Sequence, residues 1–259
     1  MSEYQLPTIW ENTAKETDNN QPTAGSRFKQ VLPKGDAPFQ LYTLGTPNGI
    51  KPLIMLEELK ELGIEESQYD AFKVKIDQGQ QFGSDFVAIN PNSKIPALVD
   101  QSTEKSIRIF ESANILLYLA DKFQSLINSD WSTRTETLNW LFWQAGAAPF
   151  VGGGFGHFFH YAPEKLQYPI NRYTMETKRQ LDLLDRELAS KYYIVGSEYS
   201  IADIAIWSWY GQLALDDLYK NAGTFLNVTE YQNLQAWAKR IAKRPAVKRA
   251  FARQLTAVN

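Results

Sequence analysis

Residues 41–52 read LYTLGTPNGIKP. The apolar, aromatic-containing run 39–44 that leads into them has the composition of a β-strand. Thr46-Pro47-Asn48-Gly49 is turn chemistry, with Pro47 and Asn48-Gly49 as ordinary punctuation. From Ile50 the apolar residues Ile50, Leu53, Ile54, Leu59 and Leu62 keep roughly helical spacing, and Gly63 ends the pattern, so a helix is predicted over 50–62.

Working outward, YDAFKVKI (69–76) alternates with Phe72, Val74 and Ile76 on one face and reads as a second strand. IPALVD (95–100) and SIRIFES (106–112) are two further short strands. SANILLYLADKF then forms a helix with Ser112 as its N-cap. Two strands separated by a helix imply a parallel pair, and the later hairpin adds antiparallel strands. That βαβ–ββα order is the thioredoxin-like layout, in which a strand-to-helix turn before the first helix carries a reactive Cys-x-x-Cys. The chain contains no cysteine. It therefore has no disulfide, no Cys-ligated zinc and no thiol nucleophile of its own.

Strand signals vanish after Trp131. TETLNWLFWQAGAAPF, QYPINRYTMETKRQLDLLDRELAS, SIADIAIWSWYGQLAL and EYQNLQAWAKRIAKRPAVKRAFAR all read as helices. SIAD (200–203) is a capping box with Asp203 in the place of the usual Glu, a structural role. The expected organisation is an α/β thioredoxin-like domain over 38–124, a linker over 124–130 and an all-helical domain over 131–259. Residues 1–37 are polar and irregular and read as an extension, with Tyr4, Leu6, Ile9 and Trp10 suggesting that part of it packs on the body. Across 259 residues, 44% are hydrophobic and 22% charged, enough for a real core. A net charge of −2 gives no sign of nucleic-acid binding. The N-terminus lacks a basic start and an apolar h-region, and no apolar run of about 18 residues occurs, so neither a secretory signal nor a membrane span is expected. A cytoplasmic protein fits these features.

A thioredoxin-like half followed by an all-helical half resembles the glutathione transferase superfamily. NPNSKIPALVD, FESANILLYLADKF, NWLFWQAGAAPF, GGGFGHFFHYAPEK, INRYTMETKRQLDLLD, YSIADIAIW and RPAVKR are similar to the bacterial nu class, the YghU/YfcG type, over residues 38–254. A less close resemblance is to the globular domain of the yeast nitrogen-regulation prion. The nu-class resemblance implies a homodimer that binds two glutathione molecules, or one glutathione disulfide, per site and reduces small disulfides, with organic peroxides as a further substrate class. It implies that Ile95, before a cis-Pro96, grips the tripeptide backbone; that Glu111 and Ser112 hold the γ-glutamyl ammonium and carboxylate; and that Gln81 adds an amide contact. Thr46 and Asn48 would lie beside the ligand's sulfur, where a hydroxyl, an amide and helix N–H groups stabilise a thiolate. Tyr42, on the strand, ranks below Asn48 in that role. Arg172 would reach a glutathione carboxylate. Trp143, Phe150, Phe158, Tyr161 and Tyr173 are candidates for the second-substrate side. Gln144 followed by Ala145 looks nearer the YfcG-type arrangement, and no role is assigned to it.

Bland readings stand beside these. Pro96 reads equally as a residue starting an edge strand, Ser112 as a plain cap, and Arg172 as an exposed helix charge. GGGFG (152–156) lacks dinucleotide-binding spacing and more simply breaks a helix or admits close approach. His157, His160 and Glu164 do not form a metal motif. Asn227-Val228-Thr229 is a chance sequon, with Thr229 expected to cap the next helix. The basic run Lys239, Arg240, Lys243, Arg244, Lys248 and Arg249 reads as a solvated face. Two other functions remain open at this point: a transferase conjugating electrophiles such as chlorodinitrobenzene, and a non-catalytic glutathione-binding module.

Overall fold

The computed structural model describes residues 5–12 and 21–258. Among the described residues five strands form one sheet in the order β4-β3-β1-β2-β5. β1 (Phe39–Thr43) lies parallel to β2 (Tyr69–Lys73) and antiparallel to β3 (Ala97–Asp100), which pairs antiparallel with β4 (Ile107–Phe110). The expected parallel pair and antiparallel hairpin are therefore both present. Central β1 is buried along its whole length, its apolar Phe39, Leu41 and Tyr42 interleaved with Gln40 and Thr43, whose side chains are hydrogen-bonded within the protein.

Helix α1 spans Pro47–Glu61, three residues earlier than the spacing predicts. Thr46 is its N-cap and accepts a hydrogen bond from the Gly49 amide at 3.1 Å, so Pro47-Asn48-Gly49 is the first helical turn rather than a separate turn. Pro47 at the first helical position costs nothing, because that N–H has no helical partner anyway. Gly49 is required by contact: a Cβ there would sit 1.9 Å from the Leu44 carbonyl oxygen. α1 is buried almost all round, and each of Leu53, Ile54, Met55 and Leu56 contributes about 1.5–3 kcal/mol of burial. It contacts β1 on one side and, on others, α3 (Ser112–Phe123), α6 (Ile201–Ile206) and α10 (Pro245–Ala252).

A short α2 (Ser84–Ile89) occupies the connector before β3, which the sequence had left without a helix. The predicted second strand stops at Lys73, and Ile76 begins a short 3₁₀ turn. In the helical half, α4 (Trp131–Pro149) continues into a π-helical segment (Phe150–Tyr161), and α5 spans Gln167–Glu187. α6 likewise widens into a π-helical turn at Trp207–Gly211, followed by α7 (Gln212–Ala214), α8 (Ala222–Leu226) and α9 (Gln232–Ala242). The last predicted helix is broken in two where Arg244 precedes Pro245, since the residue before a proline disfavours helical backbone.

Three expectations are corrected. The C-terminal residues do not belong wholly to the helical layer: β5 (Thr256–Ala257) returns to pair with β2, and Val258 is buried beside Tyr42 and Phe72. The basic run is only partly a solvated face, because Arg244 makes a two-armed pair with buried Glu58 at 2.6 and 2.7 Å, and Arg249 reaches buried Glu57 at 2.8 Å. These pairs fasten α10 to α1. Thr229 hydrogen-bonds Asn227 at 3.2 Å and does not cap α9. The capping box of Ser200 and Asp203 is present, and Asp203 also accepts bonds from the Ile194 amide and the Trp237 indole, which keeps it structural.

Only part of the extension packs on the body. Phe28 pairs with Gly83, and Gln30 and Leu32 hydrogen-bond to Ser84 and Asp85. Leu6, Ile9 and Trp10 are 86%, 78% and 63% exposed, contrary to the expectation of packing, and Tyr4 lies outside the described residues. Among the described residues no helix is long and apolar enough to cross a membrane.

Candidate active site

A cavity of about 800 Å³ opens where the N-termini of α1 and α3, the Ile95-Pro96 loop and the α4–π-helix junction meet. Its lining includes Thr46, Asn48, Gln81, Ile95, Pro96, Glu111 and Ser112, so seven of the eight sequence-derived site residues come together from four separate stretches of chain. The Ile95-Pro96 peptide is cis. Asn90 shapes the approach to it by donating its amide to the Lys94 carbonyl at 2.6 Å.

At the head of α3 the assignment shifts by one residue. Glu111, at φ +69°, is the N-cap, and Ser112 is the first helical residue. A non-glycine residue in that region is costly and such positions cluster at functional sites. The turn exposes the first-turn N–H groups of α3, and the dipole of a 12-residue helix, to the cavity. Gln81 is buried; its Nε2 reaches the Ile76 carbonyl at a long 3.4 Å, and its Oε1 has no partner within the protein. A buried amide oxygen left open at a cavity wall fits an incoming N–H donor.

Asn48 is the most constrained group. Its Oδ1 accepts from Lys51 Nζ at 2.9 Å and from Trp209 Nε1 at 2.8 Å. An ammonium and an indole N–H only donate, so the amide oxygen must face them. The Nδ2 hydrogens are thereby left for a ligand at this cavity-lining residue. The Thr46 oxygen accepts from the Gly49 amide, which leaves its own O–H free to donate.

Lys51 and Trp209 were not singled out from the sequence. Lys51 is fully buried and its Nζ donates to Asn48 Oδ1, Ser112 Oγ (3.1 Å) and Gln144 Oε1 (2.7 Å). Burial pushes its pKa down to about 7, partly opposed by the Glu111 carboxylate. The available signal was a lysine set in the apolar run at the start of α1, three positions after Asn48. Gln144, to which no role was assigned, is fully buried; its Oε1 ties α4 to Lys51 and its Nε2 has no partner within the protein. Trp209 reaches Asn48 because Gly152 makes room: a Cβ at 152 would lie 2.4 Å from the indole.

Other candidates fall outside. Arg172 is exposed on α5 and is not part of the lining. Tyr42 is packed on β1 against Phe72, and its hydroxyl donates to the Pro33 carbonyl at 2.8 Å, with burial pushing its pKa up to about 12. It cannot activate a thiol in this cavity. Of the five aromatic candidates only Tyr161 lines the cavity; Phe142, Trp209 and Tyr219 do so without having been predicted. Trp143 packs on Tyr210, and Phe150 and Phe158 pack on Tyr173. His157 and His160 pack against neighbouring aromatic rings, and among the described residues no three metal-binding side chains cluster.

Residues 37–121 match the family model of the glutathione S-transferase N-terminal domain, and 167–240 that of the glutathione S-transferase C-terminal domain. The chain is 55% identical to the disulfide-bond oxidoreductase YghU of Escherichia coli over 89% of its length and 80% of the relative's. A glutathione transferase YghU from Streptococcus pneumoniae, crystallised with glutathione, superposes with a TM-score of 0.97 at 61% identity, covering 99% of this chain and 100% of that one. A glutathione transferase from Burkholderia graminis, with two glutathione molecules per subunit, gives 0.75 at 37% identity over 83% and 87%. On these matches, and on a cysteine-free cavity built at the head of α1, the chain belongs to the glutathione S-transferase family.

Proposed function

We propose that this enzyme reduces small disulfides with glutathione as the thiol donor, two glutathione molecules or one glutathione disulfide occupying each subunit's cavity. The carrying observation is Asn48, a residue of the cavity lining whose oxygen is held by Lys51 and Trp209 and whose N–H groups remain for a ligand, in a chain with no thiol of its own. The tripeptide lies along Ile95 and the cis-Pro96, its γ-glutamyl carboxylate at the N–H groups of α3 and the Ser112 hydroxyl, its ammonium at Glu111, and its amide at Gln81. The sulfur then sits at Thr46 and Asn48, where O–H and N–H donors stabilise the thiolate; each unit of thiol pKa lowered corresponds to about 1.4 kcal/mol.

The thiolate attacks one sulfur of the disulfide, forming a mixed disulfide and expelling the other half as a thiolate. A second glutathione thiolate attacks the glutathione sulfur of that mixed disulfide, giving glutathione disulfide and the second thiolate product. Two glutathione molecules are oxidised for each disulfide reduced, and the protein supplies position and charge stabilisation. Organic peroxides are a second oxidant class for the same thiolate. Arg172 is left out of this ligand set because it is not among the residues that line the cavity. The enzyme acts as a homodimer in a glutathione-rich compartment such as the cytoplasm, with Leu6, Ile9 and Trp10 of the extension covering the partner subunit.

Support comes from the relative named a disulfide-bond oxidoreductase and from structures named with bound glutathione. Parallel assays test it: reduction of hydroxyethyl disulfide and conjugation of chlorodinitrobenzene, each with glutathione. Disulfide turnover far exceeding conjugation is expected. Conjugation as the faster reaction makes the protein an ordinary transferase, and glutathione binding without turnover makes it a binding module.

A further inference from the structure

Lys51 is costly to the fold. An ammonium without a hydrogen-bonded carboxylate is buried at the junction of α1, α3 and α4, where an apolar residue of similar length would avoid the desolvation cost. Three oxygen acceptors meet its three N–H bonds: the Asn48 amide, the Ser112 hydroxyl and the Gln144 amide. Two of the three belong to residues already placed against the ligand, and all four residues line the same cavity.

We propose that Lys51 is the positioning residue of the thiolate site: its ammonium holds the Asn48 oxygen, turning the Asn48 N–H edge to the ligand's sulfur, and places a positive charge behind that edge. The inference rests on the disulfide-reductase reading above. Trp209 supplies the second donor to the same oxygen, but being neutral it orients without adding charge. The charged group that faces Lys51 is Glu111, from the β4–α3 turn; α4 and the Trp207–Gly211 turn present only neutral Gln144 and Trp209, and Lys94 lines the cavity from the cis-proline loop. In the ligand-free protein Lys51 is easily deprotonated. A thiolate in the cavity favours the ammonium, so forming one restores the charge on the other.

The test compares wild type with Lys51→Met and Lys51→Arg. The readouts are steady-state reduction of hydroxyethyl disulfide and the pH titration of bound glutathione's thiolate absorbance. Lys51→Met is expected to lower kcat at least tenfold, to change KM for glutathione less than threefold, and to raise the pH of half-ionisation by one unit or more. Lys51→Arg is expected to recover part of both losses. Wild-type kcat and an unmoved thiol titration in Lys51→Met overturn the proposal. Should Lys51→Met fail to fold, Gln144→Glu asks the same question by neutralising Lys51 from α4; the thiol titration moves up by half a unit or more, and no movement overturns the proposal. Asn48→Ala separates the two levels of inference. Full activity in Asn48→Ala sinks the disulfide-reductase site itself, whereas a defect there with an unaffected Lys51→Met sinks only the role of the lysine.

Discussion

At the scale of single residues the account turns on one amide. Asn48→Asp replaces the N–H edge with a second oxygen and sets a carboxylate 2.9 Å from Lys51 Nζ, on the geometry of the present bond. Disulfide reduction should fall at least tenfold while thermal stability rises, because the buried ammonium gains an opposite charge. Loss of activity together with loss of stability would mean that Asn48 has a structural role only. The pH dependence of Lys51 gives a second prediction. Its folded-state pKa, about 7, lies below the unfolded value near 10.4. Between these values the unfolded chain binds more protons, so stability from this residue rises with pH. The stability of wild type minus that of Lys51→Met, both without ligand, should therefore grow from pH 7 toward pH 10. Denaturant midpoints across that range check it, and a flat difference contradicts a depressed pKa. Little of this was legible in the sequence. Asn48 and Thr46 could be named because turn chemistry and family likeness mark them, but the acceptor geometry around Lys51 depends on Ser112, Gln144 and Trp209, which are 61, 93 and 158 positions away along the chain, as the numbering shows.

At the scale of elements, two contacts hold the cavity in shape. Gly152 lets Trp209 approach Asn48, so Gly152→Ala drives a methyl into the indole, 2.4 Å from its ideal Cβ. Overpacking of that kind costs about 1–3 kcal/mol. Disulfide reduction should drop with it, and substrate turnover measured beside the unfolding midpoint tests both effects; unchanged values would show that Trp209 has room to move. The Arg244–Glu58 pair fastens α10 to α1 from the other side. Arg244→Ala leaves a buried carboxylate unpaired, and with the arginine itself about a quarter exposed the expected cost is about 2–3 kcal/mol by denaturant unfolding. A cost below about 0.5 kcal/mol would class the pair with ordinary surface bridges. The strands and the long helices could be read from apolar spacing. The start of α1 could not, because Thr-Pro-Asn-Gly serves equally as a turn and as a capped first helical turn; the Thr46 cap on the Gly49 amide and the long-range bond from Trp209 to Asn48 hold the second. β5 also escaped notice: two residues carry no periodicity, and only pairing with β2 makes them a strand.

For the whole molecule, the two-layer plan of a mixed sheet domain and a helical domain followed from the order of strand-like and helix-like stretches, and the sheet topology agrees with it. The exposed Leu6, Ile9 and Trp10 were misassigned because apolar residues in a polar segment signal burial without saying against what. If they cover a partner subunit, removing residues 1–12 should weaken the dimer measurably by sedimentation. A dimer of unaltered affinity would leave the extension without that role. The central claim, that a cysteine-free turn serves a thiol delivered by the ligand, is tested most directly by the ionisation of that thiol. Thiolate absorbance of glutathione bound to the wild-type protein should titrate at least one pH unit below the free thiol, whose pKa is about 8.5 for an unperturbed cysteine. A bound thiol that titrates like free glutathione would contradict the claim, leaving the head of α1 as a grip for the peptide and not a site for its sulfur.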